Sequence, residues 1–183
     1  MPQLDDAQRR RLLAIARESI RQKLAGGDES APATDAPGDS AFPPSSGAFV
    51  SLHHDGDLRG CVGTLVGEAP LPALVWRIAR SAAFQDPRFP PLGPEELPGC
   101  EIEISVLGPL VRCLPEEVVV GRDGLCVSRG AYRGVLLPQV PTHAGWGREE
   151  FLAATCRKAH LPEDAWRDTT ITLQRFEAEV FSE

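Results

Sequence analysis

The segment LRGCVG, residues 58–63, sets a thiol, Cys61, two places after a guanidinium, Arg59, in a run of strand-forming residues. Residues two apart on a strand share a face about 7 Å apart, so Arg59 would favour the thiolate of Cys61. A thiolate can act as a nucleophile or a metal ligand. Thiol catalysis also needs an acid or base, for which Glu103 and His143 are the candidates, with Arg59 as the anion-binding group. His53 and His54 lie close to the same segment in sequence, although nothing in the sequence brings a histidine to the thiol. The simpler reading of Cys61 is a small buried apolar residue, with Gly60 and Gly63 letting another layer approach closely.

A second polar pair lies in DPRFPPL, where Asp86 and Arg88 sit on a proline-stiffened loop. Asp86 could cap a turn and Arg88 could grip an anion bidentately, or the two could simply form an internal salt bridge. Glu101 and Glu103 share a strand face as an acid–base pair, as partners of Arg59, or as a solvated face. The expected binding set is therefore Leu58, Arg59, Gly60, Cys61, Val62, Gly63, Asp86 and Arg88.

Five cysteines at wide spacings, with no paired motif and no neighbouring histidine, read as reduced thiols; the sequence implies no metal and no cofactor. The glycine-rich stretches at 121–124 and 130–134 lack the strand-to-helix setting of a nucleotide-binding loop. A formal charge of −7 argues against nonspecific nucleic-acid or anionic-membrane binding. With no apolar run long enough for a membrane span and no signal-peptide core, the chain reads as cytoplasmic.

These residues need a scaffold, and 183 residues with 42% apolar content can supply a core. Leu13, Ala16, Ile20 and Leu24 predict an opening helix over 5–24, started by a capping box between Asp5 and Gln8. Residues 25–46 read as a linker poor in large apolar side chains. Strands over 48–54 and 58–65 flank Asp55-Gly56, a type I′ turn signal that would pair Val50 with Cys61 and set Arg59 and Cys61 on one face. A helix over 71–84 follows, ended by Asp86-Pro87, then a strand from Cys100 to Gly108. Short strands are predicted at 118–120, 125–128 and 135–137, helices around 151–159 and 162–166, and an alternating final strand over 171–181.

Taken together, GAFVSLHHDGDLRGCVGTL, SAAFQDPRFPPL, EIEISVLGP, GRDGLCVSRG, YRGVLLPQV and FLAATCRKAHLPEDAW resemble the AMME chromosomal-region gene 1 family, known in bacteria and archaea as AmmeMemoRadiSam system protein A. In PTHAGW, His143 stands where similar proteins generally carry Glu. The resemblance implies an α+β fold of two lobes, each an antiparallel sheet flanked by helices, with LRGCVG facing the interface between them. The larger lobe would comprise 1–111 and 169–183, and the smaller one, 112–168, would be inserted into it. It also implies company, a Memo-type protein and a radical SAM protein, and hence an accessory or interaction role. The alternative is an enzyme that uses Cys61 as nucleophile on a small molecule or modified biomolecule.

Overall fold

The computed structural model describes residues 4–27, 42 and 46–183, so most of the expected linker lies outside the described residues. The first helix, α1 (Asp6–Leu24), begins where the capping box predicts. The Asp5 carboxylate accepts the Gln8 N–H at 2.8 Å and the Gln8 side chain accepts the Asp5 N–H at 2.8 Å. Asp5→Ala is expected to cost about 1 kcal/mol, read from the urea midpoint of unfolding.

The chain divides into two compact units, Pro2–Leu107 with Glu179–Glu183, and Gly108–Ala178. In the larger, β1 (Ser46–His54) and β2 (Asp57–Val66) are joined by Asp55 and Gly56. Both have positive φ, 53° and 85°, as a type I′ turn requires. Next come α2 (Leu71–Phe84) and β3 (Cys100–Leu107), which pairs antiparallel with β1 and leaves β2 as the outer strand. Alternation decides the core. Val50 and Leu52 of β1 and Ile102 and Ile104 of β3 are fully buried, in one cluster with Leu12, Ile20, Leu74 and Val75 of the two helices.

The smaller unit holds β4 (Val111–Arg112), β5 (Asp123–Arg129), β6 (Tyr132–Leu136), α3 (Gln139–Ala144) and α4 (Arg148–Lys158). The last strand, β7 (Thr172–Ser182), pairs with β4 and β5, and β5 also pairs with β6, all antiparallel. Phe151 and Leu152 of α4 fill a core with Leu125, Val127 and Leu173. The fold is mixed α+β, as the sequence predicts. No helix among the described residues is long and apolar enough to cross a membrane.

Three expectations need correction. Residues 118–120 form no strand, because the buried Asp123 carboxylate accepts the Val119 N–H at 2.8 Å and closes a turn there. Residues 139–144 form a helix that the sequence reading missed, with Gly145 in the left-handed region at its end. Alternation along β7 breaks after Phe176, where Glu179 is buried and Val180 is 40% exposed. The Glu179 carboxylate accepts the Leu4 N–H at 3.0 Å and the Arg9 Nε at 2.8 Å, so its burial is matched by specific donors.

Candidate functional site

The hairpin does not pair residue for residue as the turn alone predicts. His53 faces Leu58, but Leu52 then faces Gly60, so the register slips by one at Arg59. This is a β-bulge, and it re-aims everything beyond it. Cys61 lies opposite Ser51 instead of Val50, on the face of β1 away from the Val50–Leu52 core side. The Ser51 hydroxyl donates to Cys61 Sγ at 3.2 Å, and on the other side of β1 Ser51 faces Glu103 of β3.

The expected pairing of Arg59 with the thiol is also corrected. Arg59 Nε donates to Glu96 at 2.8 Å, Nη2 reaches the same carboxylate at 3.2 Å, and the guanidinium lies 6.0 Å from the Phe89 ring centroid. The cation beside Cys61 is Arg88. Its Nη2 donates to the Cys61 carbonyl at 3.2 Å and to Asp86 at 2.6 Å. Asp86 in turn accepts the Cys61 N–H at 2.9 Å. Asp86 and Arg88 thus bind the donor and the acceptor of one strand residue, while Arg88 also lies 5.4 Å from the Phe89 ring centroid. The loop that carries them is fastened to α2 by the Leu92 N–H, which donates to the Ala83 carbonyl at 2.9 Å.

Electrostatics follow from this geometry. Burial pushes the Cys61 thiol up; the Ser51 hydrogen bond and the Arg88 charge pull the other way without reversing it, and Asp86 and Glu103 add to the rise. The Arg88 guanidinium holds Asp86 well below the usual carboxylate range, against burial and helped by the Cys61 N–H. The pairing raises Arg88. Arg59 likewise lowers Glu96, helped by the Gly93 N–H. Burial therefore biases the Cys61 thiol toward its neutral form beside the Asp86–Arg88 ion pair, the opposite of an activated thiolate.

Residues 13–181 match AMMECR1. The chain belongs to the AMMECR1 family. A protein from Thermococcus gammatolerans is 43% identical over 183 residues, covering 94% of this chain and 88% of that relative. One from Methanothermobacter thermautotrophicus is 43% identical over 181 residues, covering 95% and 93%. The crystal structure of an uncharacterized protein from Pyrococcus horikoshii superposes with a TM-score of 0.85 at 42% identity, covering 94% of this chain and 89% of that one.

Within this AMMECR1 chain the remaining candidates are dispersed. Leu58 is 39% exposed, Gly60 packs under α2, Val62 rests on the core, and Gly63 is covered by the Phe49 ring. Among the described residues no histidine bonds to Cys61: His53 faces Glu101, and His54 lies 3.3 Å from Asp55. His143 is exposed on α3 of the smaller unit. No group of three or more metal-ligating side chains converges among the described residues. Sequence reading missed Ser51, Glu96 and Phe89. Ser51 would have been found by entering the bulge into the hairpin register, whereas Glu96, 37 residues from Arg59, carries no local signal.

Proposed function

We propose that this AMMECR1-family chain is a cytoplasmic accessory or interaction component that acts with a Memo-type protein and a radical SAM protein. The observation that carries the reading is the setting of Cys61: a half-buried thiol that burial biases toward its neutral form is held by Ser51 and, through its own backbone N–H, by Asp86. Beside it stand the 51%-exposed Arg88, the half-buried Phe89 and the exposed Pro87, Pro90 and Pro91. Arginine and aromatic side chains held by a stiff backbone lose little freedom on docking and are common anchors of protein interfaces.

Co-purification with both partners expressed is the test. The wild-type chain and Cys61→Ser are expected to capture the partners equally, and Arg88→Ala to weaken capture about tenfold or more at an unchanged circular-dichroism spectrum. Absence of capture by the wild type would count decisively against the proposal. In parallel, Cys61 should alkylate more slowly at pH 8 than the same cysteine in denatured chain, because burial disfavours its thiolate. Faster labelling than in the denatured chain would favour the thiol-enzyme alternative, with Cys61 as nucleophile, Arg59 as anion-binding group and Glu103 or His143 moving the proton.

A further inference from the structure

In the smaller unit, β6 bonds to β5 on one side and to no strand among the described residues on the other. Its hairpin fixes which groups lie on the open side. Arg129 pairs with Tyr132 across Gly130 and Ala131, and Gly130 alone of the two has a positive φ, 60°, the type II′ arrangement with glycine in the first central place. The residues that flank a two-residue loop exchange both of their hydrogen bonds, so Tyr132, Gly134 and Leu136 turn their N–H and C=O toward β5. The N–H and C=O of Arg133 and Val135 therefore point away from the sheet, where no loop or turn bond takes them up among the described residues.

The charge on this strand runs against that of the chain. Net charge is −7, yet residues 124–148 hold three arginines and no Asp or Glu. Of these, Arg133 is exposed and makes no hydrogen bond or ion pair among the described residues. Alternation sets Arg133 and Val135 on one face of β6, and Tyr132, Gly134 and Leu136 on the other. On that second face α4 presses close, since a Cβ at Gly134 would lie 2.4 Å from the Ala159 nitrogen and 2.8 Å from the Lys158 carbonyl carbon. Gly134 thereby seats β6 firmly under the end of a helix. Lys158 there is a second exposed cation without an ion pair among the described residues. At the start of the strand Tyr132 is 55% exposed.

We propose that β6 takes up an acidic, extended segment of another protein as an added strand, with its backbone bonded to Arg133 and Val135 and a carboxylate paired with the Arg133 guanidinium. Main-chain bonds supply the attachment, and the unpaired cations select the sign of the segment. A second copy of this chain is the poorer occupant, because β6 laid against β6 would bring two unpaired Arg133 side chains together, and like charges across a strand pair repel. The surface lies in the smaller unit and shares no residue with the Arg88 patch of the larger one, so the two stand or fall separately.

The test is a titration of the ¹⁵N-labelled full chain with two end-blocked hexapeptides, one alternating glutamate with valine and the other lysine with valine. The glutamate peptide is expected to shift the Arg133 and Val135 amide resonances saturably, and at saturation to slow hydrogen exchange of these two N–H groups about tenfold or more. Arg133→Glu should weaken it about tenfold or more, and Arg88→Ala should leave it unchanged. Val135→Pro is the sharper variant. It deletes an N–H that the β5 ladder does not use, a change that the open side of an outer strand tolerates, and it should abolish the exchange protection at an unchanged circular-dichroism spectrum. Should that variant fail to fold, Arg133→Glu, a change at an exposed position, still decides. Any one of four results would overturn the proposal: no saturable shift into the millimolar range, equal binding of the lysine peptide, unchanged affinity in Arg133→Glu, or protection of the two N–H groups that rises with protein concentration in the absence of peptide, which would assign the strand to a second copy.

Discussion

Gly60→Ala is expected to destabilise the protein by about 2–4 kcal/mol, seen as a lower urea midpoint at an unchanged slope. The reason is contact, not backbone conformation. A Cβ at Gly60 would lie 2.2 Å from the Ala82 carbonyl oxygen and 3.1 Å from its carbon, both backbone atoms of α2 that no rotamer change can move. The strand and the helix would have to separate, and both belong to a core in which Val50, Leu52, Leu74 and Val75 are fully buried. Gly56→Ala is the control. At Gly56 nothing lies within 4 Å of a Cβ, and its φ of 85° leaves only the left-handed penalty, about 1 kcal/mol. Equal effects at the two positions would show that α2 does not bear on β2 as described.

Asp86→Ala should cost about 2–4 kcal/mol, because it removes a buried carboxylate that accepts from Cys61 N at 2.9 Å and from Arg88 Nε at 2.9 Å, and leaves the strand N–H without its acceptor. Asp86→Asn should cost less, since an amide oxygen can still accept the Cys61 N–H. The two changes also differ from wild type in their pH response. The folded pKa of Asp86 is depressed below that of an unfolded aspartate, about 3.9, so the native state binds fewer protons than the unfolded state in the acid range. Its contribution is therefore complete above about pH 4 and is lost as the pH falls from there toward the folded value. Urea midpoints measured from pH 5 downward should fall more steeply in wild type than in Asp86→Asn. Parallel slopes would mean that the carboxylate is not ion-paired in the native state.

Local chemistry was legible in the sequence. The Asp5–Gln8 capping box, the Asp55-Gly56 turn and the limits of α2 each depend on residues a few positions apart, and each forms as read. Tertiary choices were not. The bulge at Arg59 has no counterpart in the alternation of LRGCVG, and one slipped residue was enough to replace Val50 by Ser51 opposite Cys61. Arg59 takes Glu96, 37 residues away, instead of a partner on its own sheet. The Cys61–Asp86 contact spans 25 residues. Both members had been singled out, but only the folded chain shows that they meet. The break in β7 has the same origin, because Glu179 goes inside to meet Leu4 and Arg9, which no pattern within the strand encodes.

The bonds from Asp86 and Arg88 to Cys61 have one further consequence. Since β2 is the outer strand, the N–H and C=O of Cys61 that point away from β1 would otherwise be offered to any extended chain that came alongside. A carboxylate and a guanidinium fill the places that the carbonyl and amide of a neighbouring strand would take. The DPRF loop acts as a counterfeit strand one residue long. It leaves the hairpin its Gly-bearing backbone, and at Cys61 it denies other molecules of the same protein the template on which edge-to-edge association would start.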